Sequence, residues 1–132
     1  MKFNKLVPEL SVSDFQKSLD FYVKVLGFKI EYERDNFAFL SFQGSQIMIE
    51  KANDRWKTGE LEYPFGRGVN FQIEVGDVEA ILKALKENDY PIKFDLSEKE
   101  YASEDQVFKV KELLVMDPDG YLLRFSQDIR KR

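Results

Sequence analysis

Two stretches of this chain repeat one pattern at a constant offset. The first runs Leu6-Val7-Pro8-Glu9-Leu10-Ser11-Val12-Ser13-Asp14 and the second Val69-Asn70-Phe71-Gln72-Ile73-Glu74-Val75-Gly76-Asp77. Each leads into an amphipathic helix. Val12 matches Val75, Asp14 matches Asp77, Phe15 matches Val78, Leu19 matches Leu82 and Tyr22 matches Leu85. A tandem of two similar strand–helix–strands units narrows the fold to a pair of modules.

The local signals fill in both units. Residues 6–12 alternate and end at Ser13-Asp14, a good helix N-cap. The spacing predicts a helix from Phe15 to about Leu26 with Phe15, Leu19, Tyr22, Val23 and Leu26 on one stripe, closed by Gly27. Strands are expected at Phe28–Glu33, Phe37–Phe42 and Ile47–Glu50. Asp35-Asn36 and Gln43-Gly44-Ser45 are the turns between them. That makes one βαβββ unit. A connector over 51–68 follows, polar and dotted with Trp56, Tyr63 and Phe65, and connectors of this length are often functional or mobile. The second helix is expected from Val78 to about Asn88, before Pro91. Strands are expected at Ile92–Phe94, at Val107–Val110 and Lys111–Met116, which a single continuous run would also fit, and at Tyr121–Gln127. Ser97–Gln106 is charged and reads as a loop. Asp117-Pro118-Asp119-Gly120 is a strong turn signal.

Strand parity separates two faces. Val69, Phe71, Ile73 and Val75 form a face that must meet the helix, while Asn70, Gln72 and Glu74 form a polar one. The first unit repeats this with Leu10 and Val12 inward, Glu9 and Ser11 outward. A sheet covered by helix on one side and polar and concave on the other is a half-barrel. The expected fold is therefore α+β, two tandem βαβββ modules. The length of 132 residues suits a single domain over 1–132, with module one about 5–50, the connector 51–68 and module two about 69–127.

Composition narrows the chemistry. With 43% hydrophobic and 33% charged residues the chain reads as globular. It has no Cys and no His, so disulfides, thiol nucleophiles, thiolate metal sites and the usual general base are all excluded. The net charge of -4 and pI near 5.0 argue against nucleic acid as a partner. No apolar run reaches membrane-spanning length and no secretory h-region is visible at the start, so no membrane partner and a cytoplasmic location are expected. The basic end Arg130-Lys131-Arg132 reads as frayed and solvated.

Several residues invite a functional reading. Phe37 and Trp56, with Tyr63 and Phe65 behind them, could offer a stacking platform to a flat heteroaromatic ligand. Phe37 equally suits the core, and Trp56 could simply anchor its own loop. Glu50 and Arg124, on matching strands of the two units, read as an ion pair or as ligand contacts rather than acid–base catalysts, since no second acid–base group is in sight. The acidic run Glu60, Glu62, Glu98, Glu100, Glu104 and Asp105 reads as solvated loop charge.

Val7-Pro8-Glu9-Leu10-Ser11-Val12-Ser13-Asp14-Phe15, Leu26-Gly27-Phe28 and Asp117-Pro118-Asp119-Gly120-Tyr121-Leu122-Leu123-Arg124 resemble the vicinal-oxygen-chelate superfamily, which includes glyoxalase I, extradiol dioxygenases, and fosfomycin- and bleomycin-resistance proteins. The likeness spans about residues 5–127. It leans toward the bleomycin-resistance group through Val7-Pro8, Asp35-Asn36-Phe37-Ala38 and Lys111-Glu112. In the superfamily's metal enzymes four strand positions carry the ligands. Here they hold Val7, Glu50, Asn70 and Arg124, which do not make a transition-metal site.

The resemblance implies a glyoxalase/bleomycin-resistance fold, a homodimer with clefts at the subunit boundary, no cofactor and no catalytic residue. It implies a metal-independent protein that sequesters a cationic bleomycin-type antibiotic by stoichiometric binding, using Phe37, Glu50, Trp56, Asn70, Glu112 and Arg124. The N-terminal strand would be free to cross to the partner at Pro8. A lyase, isomerase or dioxygenase of the same superfamily, or a module binding a small metabolite, are the competing expectations.

Overall fold

In a computed structural model of the chain, the structure describes residues 2–129; the basic end Arg130-Lys131-Arg132 lies outside them. Module one contains β1 (Glu9–Val12), α1 (Phe15–Asp20), a π-helical turn (Phe21–Val25), β2 (Lys29–Arg34), β3 (Phe37–Phe42) and β4 (Ser45–Lys51). Module two contains β5 (Asn70–Glu74), α2 (Val78–Glu87), β6 (Phe94–Ser103), β7 (Gln106–Met116) and β8 (Leu122–Asp128). The sheets run β1-β4-β3-β2 and β5-β8-β7-β6, one topology written twice. In each, the first strand pairs parallel with the last, β1 with β4 and β5 with β8. A parallel pair needs a crossover, and the helix of each unit supplies it.

The caps form where the sequence places them. The Asp14 carboxylate accepts from the Lys17 N–H at 3.1 Å, and the Asp77 carboxylate accepts from the Glu79 N–H at 3.1 Å. Gly27 sits at φ +92°, the left-handed position that ends the first helix. The two-residue turn Gln43-Gly44 has both residues at positive φ, which matches the twist of a tight hairpin.

Four expectations are corrected. The first helix is not regular α to Leu26: from Phe21 it widens to π, with Leu26 N–H donating to the Phe21 carbonyl at 3.0 Å. The wider turn brings the adjacent Phe21 and Tyr22 both inside, at 3% and 0% exposure. The first strand starts at Glu9 rather than Leu6, which is 82% exposed. Val69 precedes β5 and is exposed, so the helix-facing side begins at Phe71. Ser97–Gln106 is no loop: β6 and β7 form a long hairpin joined at Glu104-Asp105. Charge hid this strand. β6 is a solvated edge, and its charges face opposite charges across the ladder, Glu98 opposite Lys111 and Glu100 opposite Lys109.

One core joins the modules. Leu10, Val12, Leu19, Tyr22 and Ile49 of the first share a buried cluster with Ile73, Val78, Leu85, Leu113 and Phe125 of the second. The Asp117–Gly120 turn adds polar ties between them. Asp117, 2% exposed, accepts from the Tyr22 hydroxyl at 2.7 Å and from the N–H groups of Asp119 and Tyr121. Asp119 accepts from both the N–H and the hydroxyl of Ser13, and the Tyr121 hydroxyl donates to the Ser11 carbonyl. The connector docks here too: Phe65 N–H donates to the Asp119 carbonyl and Gly66 N–H to that of Gly120.

Candidate functional site

β5 and β8 are parallel neighbours, and their outward residues stand side by side. Gln72 is the register partner of Arg124, one pleat from Asn70. Arg124 thus reaches three acceptors at once. Its Nε donates to Asn70 Oδ1 at 2.8 Å, its Nη2 to Gln72 Oε1 at 3.0 Å and its Nη1 to Glu112 Oε2 at 3.4 Å. A planar guanidinium suits this spread because its donors point in fixed, divergent directions. Glu112, 5% exposed, also accepts from the Tyr101 hydroxyl at 3.0 Å. Desolvation, with Glu112 as acceptor, pushes the Tyr101 phenol above its usual range. Beside this network opens a cleft of about 430 Å³, bounded by Gln72, Glu74, Tyr101, Phe108, Val110 and Arg124 among others. Ser126 and Asp128 complete its wall.

The corresponding face of the first sheet is aromatic and acidic. Glu50 pairs in register with Ser11 on one side and Phe37 on the other. Phe37 is 3% exposed and lies under the Arg34 guanidinium, 4.1 Å from its ring centre. Tyr32 stacks on Phe39 at 5.3 Å, and Phe3 meets Phe39 edge-on at 5.2 Å. Glu50 accepts from Asn53 Nδ2 at 3.2 Å. Glu9 shares the face. Burial, then the neighbouring Glu50 charge, raise its carboxyl, while Arg34 and Arg55 pull it back down.

Of the residues singled out from the sequence, Asn70, Glu112 and Arg124 are brought into one network. Phe37 and Glu50 form a second group on the other sheet, so the ion pair read between Glu50 and Arg124 is corrected: Arg124 pairs with Glu112, and Glu50 accepts from Asn53. Trp56 stands on the connector, 54% exposed, with the Arg55 guanidinium 4.8 Å from its ring centre. Val7 is half-buried just before β1. The N-terminal segment runs beside its own β4, where Asn4 N–H donates to Gln46 Oε1 at 2.7 Å. The sequence places Gln72 and Glu9 on the polar faces without naming them as site residues, and it misses Tyr101, Tyr32 and Phe39. Strand parity with Phe37 marks Phe39. Tyr101 carries no such signal, because its strand reads as a loop.

The donor set does not fit a transition metal. Val7 has no donor atom, the Asn70 oxygen is taken by Arg124, and Arg124 is itself a cation. Among the described residues no group of three His, Cys, Asp or Glu is placed to hold an ion. The paired faces instead offer carboxylates, aromatic rings and amides.

Comparison with known proteins agrees with this architecture. Residues 2–125 match the Glyoxalase/Bleomycin resistance protein/Dioxygenase superfamily. The chain is 27% identical to a bleomycin resistance protein of Geobacillus stearothermophilus, over 94% of this chain and 96% of that one. A glyoxalase/bleomycin resistance protein/dioxygenase of Alicyclobacillus acidocaldarius superposes with a TM-score of 0.65 at 26% identity, covering 98% of this chain and 96% of that one. The genomically encoded fosfomycin resistance protein of Listeria monocytogenes shares the fold alone, with a TM-score of 0.66 at 15% identity over 96% of this chain and 94% of that one.

Proposed function

This chain belongs to the Glyoxalase/Bleomycin resistance protein/Dioxygenase superfamily, and from that premise we propose that it is a metal-independent binding protein for a cationic, flat small molecule of the bleomycin type. The observation that supports this reading is the network around Arg124, which the resemblance puts at a ligand position of the superfamily's metal enzymes and which donates to Asn70, Gln72 and Glu112. Its guanidinium is bonded to Asn70 and Glu112, so two of the polar groups that a reaction would use are committed to each other. What stays open is surface for recognition. Glu74 lines the cleft of the second sheet, and Glu9 and Glu50 mark the aromatic face of the first. Carboxylates beside exposed rings attract a cation and stack a flat group.

The two faces complement each other best across a dimer. The first sheet offers Tyr32 and Phe3, 37% and 56% exposed, and the second offers the polar cleft. A homodimer would bring such faces together and would give two equivalent sites. Trp56, exposed on the connector, is then a wall residue at the site's rim. Cytoplasmic residence suits this role, and among the described residues no helix is long and apolar enough to cross a membrane.

Calorimetry with bleomycin in the presence of a chelator tests the proposal. The expected result is saturable binding near one ligand per subunit, weakened modestly by salt because exposed charge attraction is screened. Trp56→Ala is expected to cost on the order of 1–3 kcal/mol of affinity through lost stacking and burial. No heat with bleomycin, or binding that requires added metal, would overturn it.

A further inference from the structure

A second cavity of about 480 Å³ opens among α1, the connector, the loop after α2 and the end of β7. It shares no lining residue with the cleft beside Arg124. Its volume lies within the usual range for small-ligand sites, about 300–1,000 Å³. Its walls are largely apolar and aromatic, with Tyr63, Tyr90, Ile92 and Met116 among them. They are also preformed. The Tyr90 ring packs on Phe21 with centroids 4.5 Å apart, and its hydroxyl donates to the Met116 carbonyl.

The charge of this cavity is opposite to that of the concave faces. Lys17 and Lys93 line it, and neither is in an ion pair among the described residues. The one carboxylate in the wall, Asp117, is 2% exposed, and its oxygens already accept from Tyr22, Asp119 and Tyr121. Lys93 Nζ lies 5.9 Å from the centre of the Phe94 ring at the cavity's edge, so two lysines border a space walled by phenol rings and aliphatic side chains. We infer that this cavity binds a small planar aromatic carboxylate, the acid group toward Lys17 and Lys93 and the ring between Tyr63 and Tyr90. Rings and the Met116 thioether favour a flat polarizable guest, and an anion gains attraction from both lysines.

Titration of the full chain with 2-naphthoate, followed by amide NMR, tests this. Saturable shifts are expected at Ile92, Lys93 and Met116, with a Kd of roughly 0.1–1 mM. The neutral 2-naphthylmethanol should bind about tenfold more weakly, and the Lys17→Ala/Lys93→Ala double variant should lose naphthoate binding to a similar degree. Both lysines are exposed, so the variant should keep the parent fold, read from its remaining resonances. Equal binding of acid and alcohol, unchanged affinity in the double variant, or naphthoate shifts centred on Gln72 and Val110 would overturn the inference. The site is independent of the concave faces: bleomycin, a cation, should leave these resonances in place whether or not it binds elsewhere.

Discussion

Asp117 is a carboxylate held where water barely reaches. Burial raises its carboxyl from 3.8 to about 6, despite the three donors that favour its charged form. The folded state therefore keeps a proton that the unfolded chain releases between those two values. Stability from this group is greatest at low pH and falls as pH rises through that window, by about 2–3 kcal/mol. Asp117→Asn removes the charge and keeps an acceptor for the two N–H groups. Urea unfolding of that variant from about pH 4 to pH 7 is expected to lack the parent's decline. An unchanged slope would assign the decline to another group. Arg124 poses the reverse problem. Arg124→Ala leaves Glu112, 5% exposed, with Tyr101 as its remaining partner. A stability loss of about 1–3 kcal/mol is expected, read from urea midpoints. Adding Glu112→Gln should return part of it, because no buried charge is then left unpaired.

At the scale of elements, the last turn and the connector act as one clasp. A Cβ on Gly120 would sit 2.6 Å from the Pro64 Cα, and its φ is +87°. Gly120→Ala is thus both strained and blocked by backbone, and should lower thermal stability by several degrees, roughly 2 kcal/mol or more. A variant as stable as the parent would show that the connector does not seat on the turn. The clasp also shows what sequence can and cannot convey. Asp117-Pro118-Asp119-Gly120 is legible as a turn from its residue types, and Phe37–Phe42 is legible as a strand to its exact ends. That Asp117 and Asp119 bond to Tyr22 and Ser13 is not legible, because those partners come from the other module. β6 was hidden for a different reason. An edge strand with solvent on both faces has no apolar alternation to display. The π turn after Asp20 was hidden because its apolar residues fit a regular helix almost as well.

For the whole molecule, the repeat was the decisive signal, and the two sheets share one topology as it implies. The candidate site was only partly legible. Asn70, Glu112 and Arg124 share one network, but Glu50 and Phe37, singled out with them from the sequence, lie on the other sheet, and no sequence pattern tells how two sheets of separate modules come together. A homodimer would resolve that division by facing one sheet with the other. Sedimentation at micromolar concentration should give twice the 15.6 kDa chain mass; a monomer would count against a site shared between subunits. The central claim is binding without turnover, and native mass spectrometry of metal-stripped protein with excess bleomycin tests it most directly. The account predicts complexes carrying one drug per subunit, with the drug released at its original mass. A free protein spectrum, or drug recovered with altered mass, would contradict it.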